Sequence, residues 1–267
     1  MVHKLKITCI GFSVVLAIGL VASLPPIPQD MAYHAFADDR LLWGMANAKN
    51  VLSNIAFVIA GIIGLIKIRS LPQAKIIRMW RFFYRAVVLV GLGSAYYHWF
   101  PANETLVWDR LPMTLCFAAL TACVCAERLG AKVGRLLFVP LIVSGVLSVL
   151  YWWVTEKYGV GDLRPYIFIQ FFPMILLPLL LLLFPKPAKP NHSYWVLLAS
   201  YIIAKVFELQ DYQVYSLTNH IVSGHTVKHL LATAGIMLLS PDSLAEISNN
   251  TAKISAAKHY LTRKGIV

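Results

Sequence analysis

Charge is scarce in this sequence of 267 residues: Asp, Glu, Lys and Arg make up 13% of it, about half the share of an ordinary soluble domain. That excludes a large water-soluble core with a solvated surface. Cysteine is equally sparse. Cys9, Cys116, Cys123 and Cys125 all lie inside apolar stretches, so no disulfide framework is readable, and Cys123 and Cys125 stand too close together for the usual zinc-binding pair. There is no internal repeat and no long polar linker dividing the chain into globular domains. What the sequence does contain is hydrophobic residue, 58% of the total, gathered into runs long enough to face lipid instead of water.

Eight such runs are read: 7–24, 51–68, 82–100, 106–126, 136–154, 166–184, 194–209 and 221–239. The connections between them are short and carry Pro, Gly, Asn or charge. The expected fold is all-α, a polytopic seven-helix membrane bundle plus one additional N-terminal transmembrane helix. The chain divides into an N-terminal helix and outer loop (1–35), the seven-helix domain (36–240) and a polar, basic tail (241–267). The first run also admits reading as a signal peptide, but it is long for one and Pro25-Pro26 follows it without a small-x-small cleavage site, so a retained helix is expected.

The net charge of +12 is explained by direction across the membrane. With the N-terminus in the cytoplasm, most Lys and Arg fall in inner connections, such as Arg69, Lys75 and Arg78, then Arg128, Lys132 and Arg135, and in the tail. Most acids fall on the opposite side or at outer helix ends. This satisfies the positive-inside rule in every loop, so the basicity implies no nucleic-acid partner. The C-terminus is then cytoplasmic too.

Ionisable side chains inside apolar helices are costly and mark functional candidates. Ser94 and His98 stand four residues apart on one face of a helix, and so do His225 and His229. Two histidines at that spacing present two nitrogens to one metal ion. Given the direction of the helices, His98 lies near the outer end of one, Asp109 at the outer start of the next, and His225 and His229 in the first turns of the last. All four reach one level of the membrane. Three imidazoles without a fourth protein ligand is the count of a catalytic zinc site, which keeps a position for water. Blander readings fit other residues. Lys205 and Glu208 form an intramembrane ion pair, Lys228 snorkels or pairs with an acid, and Tyr96, Tyr97, Trp99 and Trp108 belong to an interfacial aromatic belt. Asp109 beside Arg110 has the alternative of an interfacial pair. His34, His192 and His220 are given no metal role.

The set Ser94-x-x-x-His98, Asp109 and His225-x-x-x-His229 resembles the pattern of the alkaline ceramidases, which belong to a membrane hydrolase superfamily with the progestin and adiponectin receptors and the hemolysin-III-like proteins. Local text carries the resemblance further: Gly-Ser-Ala-Tyr-Tyr-His-Trp at 93–99, Trp-Asp-Arg-Leu-Pro-Met at 108–113 and Ser-Gly-His-Thr-Val-Lys-His-Leu-Leu-Ala at 223–232. It implies zinc on His98, His225 and His229, with Asp109 and Ser94 acting on the bound water. It further implies an outward-facing site that hydrolyses the amide of ceramide or a related N-acyl lipid, entering from the bilayer, to a fatty acid and an amine. The family's N-terminal segment can also hold calcium. Here Asp38 and Asp39 are present, but Asn47 stands where a carboxylate is expected, which weakens calcium binding. A receptor-like protein with structural zinc and a metal or proton transporter are the alternatives.

Overall fold

Apolar runs in a medium without water close their backbone hydrogen bonds internally, and helices do so within one segment. The computed structural model, which describes residues 2–72, 74–186, 191–241 and Leu244, is accordingly helical and forms no sheet among those residues. Its order is α1 (Val2–Ser23), a 3-10 turn (Met31–His34), α2 (Ala48–Ser53), α3 (Ile55–Ile68), α4 (Lys75–Trp99), α5 (Asn103–Arg128), α6 (Ala131–Lys157), α7 (Arg164–Leu183), α8 (His192–Leu209), α9 (Asp211–Leu217) and α10 (Gly224–Leu238). The basic tail expected from 241 onward lies outside the described residues, apart from Pro241 and Leu244.

Each of the eight apolar runs becomes helical, with three differences. The run 51–68 is divided at Asn54, whose Nδ2 donates to Asn50 O at 2.8 Å, so that α2 and α3 follow one another across a break. The basic residues before Phe82 belong to α4, which begins at Lys75. The last helix begins at Gly224 instead of Ile221, because the Ser223 side chain accepts from Thr226 N and caps it there. The short α9 and the 3-10 turn were not expected at all: neither is long enough to show an apolar period.

Among the described residues, five segments are long and apolar enough to cross a membrane: α1, α2 with α3, α5, α6 and α7. The three others expected to span, α4, α8 and α10, are the ones enriched in charge or imidazole. At 15 residues α10 is about 22 Å long, shorter than a hydrocarbon core of about 30 Å. Large apolar side chains such as Leu89, Leu92, Leu136, Val139 and Ile202 point outward. A soluble protein does not expose such a belt, whereas lipid accepts it.

Helix α5 is the centre, packed against α4, α6 and α7, while α8 pairs with α10 and α3 with α4. Trp80, Phe83, Val87, Leu177 and Tyr194 fill one core region, and Phe36, Tyr97, Leu106, Trp152 and Tyr166 fill a second at the other end. Helix α1 has no fully buried residue and lies along α7, with Ile10, Val14 and Ala17 partly buried against the core. Its C-terminal end is fastened by Arg164, whose Nη1 donates to Leu24 O at 2.6 Å while Asp162 holds the rest of the guanidinium at 2.7 and 2.8 Å.

Two glycines set the helix spacing around the site. A Cβ on Gly93 would lie 2.0 Å from Trp108 O, so α4 and α5 touch backbone to backbone beside Ser94 and Asp109. A Cβ on Gly224 would lie 2.2 Å from Phe207 O, so the first turn of α10 rests directly on the end of α8.

Candidate metal centre

The last turns of α4 bring Ser94 and His98 inward, the second turn of α5 brings Asp109, and the first two turns of α10 bring His225 and His229. All five are buried. The three histidines expected from sequence meet. Each offers a ring nitrogen within 4.8 Å of the others, and His98 Nε2 faces His225 Nε2 at 3.2 Å. Two zinc-bound nitrogens at tetrahedral angles and bond lengths of about 2.0–2.1 Å stand about 3.3 Å apart. The spacing of these two therefore fits a shared ion, and so does the donor set, three imidazoles with no thiol or carboxylate among them.

A histidine ligand is oriented by what its other nitrogen does. Ser53, at the end of α2, gives its hydroxyl proton to Asn50 O at 2.9 Å, so its oxygen is left to accept from His229 Nδ1 at 2.7 Å. That fixes the proton of His229 on Nδ1 and leaves Nε2 bare. His225 is placed through its backbone: its N–H donates to Asp211 Oδ1 at 2.7 Å, while Asp211 Oδ2 accepts from Ala37 N at 2.9 Å. One carboxylate thus ties the start of α10, α9 and the 36–37 segment together. Above the pair, the Phe36 ring packs edge-on against His98 and His225, with centroids 4.7 and 4.8 Å away. Asn50 secures α2 to α10 by accepting at Oδ1 from Thr226 Oγ1 at 2.8 Å.

Ser94 lies beside the Asp109 carboxylate. Both face, with His229, a cavity whose remaining walls are mostly apolar and come from α4, α5, α7, α8 and α10, among them Val87, Met113, Leu120, Met174 and Leu177. Arg110 does not turn back to Asp109. Its Nη2 donates to Gln29 Oε1 at 2.5 Å, and its guanidinium lies 4.2 Å from the Trp152 ring and 4.8 Å from that of Tyr166. The alternative of an Asp109–Arg110 pair therefore gives way to an arginine seated in an aromatic box that anchors the 24–35 segment. Lys205 does pair with Glu208, and Lys228 joins them at 2.7 Å. His34 is bound between Tyr97 Oη at 3.0 Å and Asn103 Oδ1 at 2.9 Å.

Of the calcium candidates, Asp38 is buried and both its oxygens are taken by Arg40, at 2.7 and 2.5 Å. Burial pushes its carboxyl up, and the guanidinium beside it outweighs that and holds it below its usual range. Asp39 is exposed, and Asn47 donates Nδ2 to His98 O at 2.9 Å. These contacts give Asp38 and Asn47 structural partners, and no calcium role is proposed for them. Sequence reasoning did not single out Ser53, Asn50 or Phe36 as part of the site, and it gave Asp211 no role. A polar Asn50 and Ser53 three apart within an apolar run were the one available signal.

Fold and site define a multi-pass α-helical membrane protein with a buried three-histidine group able to hold a metal ion. Residues 41–240, three quarters of the sequence, match the model of the ceramidase family, and the chain belongs to that family. No curated protein and no solved structure matches it.

Proposed function

We propose that this protein is a zinc-dependent amide hydrolase that cleaves ceramide or a related N-acyl lipid of the bilayer to a fatty acid and an amine. The observation that carries the reading is the meeting of His98, His225 and His229 with the Ser94–Asp109 pair beside one largely apolar cavity. His98, His225 and His229 would hold the zinc, which when bound supplies Lewis acidity towards a water nucleophile and the amide carbonyl.

The chain's own groups do the rest. Asp109 takes the proton of the attacking water as the C–O bond forms, then delivers it to the amide nitrogen as the C–N bond breaks, leaving a carboxylic acid and an amine. Ser94 orients the Asp109 carboxylate in the resting state and turns its hydroxyl to the developing oxyanion during attack. The apolar walls receive the acyl chain and exclude bulk water. The site faces away from the cytoplasm, with both termini inside. That is supported by the basic residues at the Ile68–Lys75 end of the bundle and by the site lying at the opposite end of α4.

Zinc content measured beside hydrolysis of a panel of N-acyl lipids tests the reading. About one ion per chain with turnover supports it. Bound metal with no turnover on any N-acyl lipid would favour a receptor-like protein with structural zinc. A narrower expectation concerns Ser53. Ser53→Ala removes the acceptor that keeps the His229 proton on Nδ1, so zinc affinity, measured by competition with a chelator, is expected to fall by about 10–100-fold in a folded protein. Unchanged affinity would mean that Ser53 does not set the orientation of His229.

A further inference from the structure

The wall of the cavity carries a second polar group that the proposed reaction does not use. On α8, Glu208 forms an ion pair with Lys205 through Oε2. Through Oε1 it binds Lys228 of α10 at 2.7 Å. All three line the same cavity as Ser94, Asp109 and His229. One lysine suffices to neutralise Glu208 and to tie α8 to α10. The second is surplus: two ammonium groups share one carboxylate, and each spends one of its three protons on it.

An uncompensated cation among apolar walls at membrane depth is costly unless an anion comes to it. Asp109 is the other acid on this wall. In the proposed reaction its charge is consumed whenever it holds the water proton, and a dication on the histidines would tip the balance further toward positive. Lys205 and Lys228 are also within reach of a ligand, at 30% and 18% exposure, and Lys205 keeps its ammonium 5.7 Å from the Phe171 ring of α7. The group sits at the level of the reacting atoms, because Lys228 directly precedes His229 and Glu208 lies in the last turn of α8. A headgroup attached to the scissile amide would lie at that level, whereas the end of the acyl chain would not.

We propose that Lys205 and Lys228, bridged by Glu208, form a subsite for an anionic group on the amine half of the substrate, so that the protein prefers acidic N-acyl lipids to neutral ones. This rests on the hydrolase reading for its reaction, but not for its binding. The same two ammonium groups would also suit the carboxylate of a fatty-acid product, and the two sources are separable.

The test compares N-palmitoylglycine with N-palmitoylethanolamine, which share an acyl chain and differ in a carboxylate against a hydroxyl. Kd and kcat/KM are measured with the purified full-length protein in detergent. The wild type is expected to favour the carboxylate lipid by about tenfold or more, the scale of one charge-assisted contact. Lys205→Met is expected to bring that ratio close to one, and Lys205→Arg to keep most of it. Equal affinities in the wild type, or a preference that Lys205→Met leaves intact, would overturn the proposal.

A parallel arm compares inhibition by palmitate and by hexadecanol. If Lys205→Met changes only that comparison and the lipid ratio is near one throughout, the lysines hold the product and the headgroup subsite is refuted. Hydrolysis of the neutral lipid without any preference refutes the subsite and keeps the hydrolase. A binding preference without hydrolysis of any lipid does the reverse.

Discussion

Asp109→Asn is expected to lower turnover of an N-acyl lipid by about two to four orders of magnitude, the range for loss of a positioned proton-transfer group, while leaving the metal content unchanged. The substitution is nearly isosteric. The volume at this position hardly changes, so the close contact of α4 and α5 at Gly93 and Trp108 has no reason to move. What disappears is the ability to take a proton from water and to hand it to the leaving nitrogen. The three histidines come from α4 and α10, and none depends on Asp109 for its orientation. Metal analysis and kcat on the same preparation check this. Turnover close to that of the wild type would remove Asp109 from the reaction, and loss of metal would make it a structural support of the centre.

His225→Ala carries the other large effect. Removing one of three imidazoles leaves two nitrogens, and a two-coordinate site does not retain zinc through dialysis at neutral pH. Zinc content is expected to fall from about one per chain to near zero, with turnover falling to background. The backbone N–H of residue 225 still reaches Asp211 in the variant, so the start of α10 keeps its anchor and the protein is expected to remain helical and monodisperse. Those two properties are measured alongside the metal. A variant that kept its zinc would show that His225 is not a ligand. The effect is not expected at His34, whose ring is occupied by Tyr97 and Asn103.

The helices were legible because apolar runs of about 20 residues leave a chain in lipid little choice but to close its own hydrogen bonds. The triad of histidines was legible for a related reason. Spacing of four puts His225 and His229 on one face, and the alternation of direction in a bundle puts His98 at the same end. The unread parts are those that depend on contacts between distant short segments. Ser53 and His229 are 176 positions apart, and Ala37 and Asp211 are 174 apart. Neither pairing leaves a period or a spacing in the sequence, and α9 and the 3-10 turn are too short to have one. The alternative of an Asp109–Arg110 pair fails for a local reason. Adjacent residues on a helix point about 100° apart, so a neighbour in sequence is not a neighbour in space.

Phe36 bears on how a metal ion would be acquired. With its ring across His98 and His225, and Ala37 held by Asp211, one approach to the imidazoles is covered by a segment whose own anchor also fixes the start of α10. An ion passing on that side would need that anchor to let go. The tempo of its exchange would then belong to the opening of residues 36–37, however tightly the ion were held once inside.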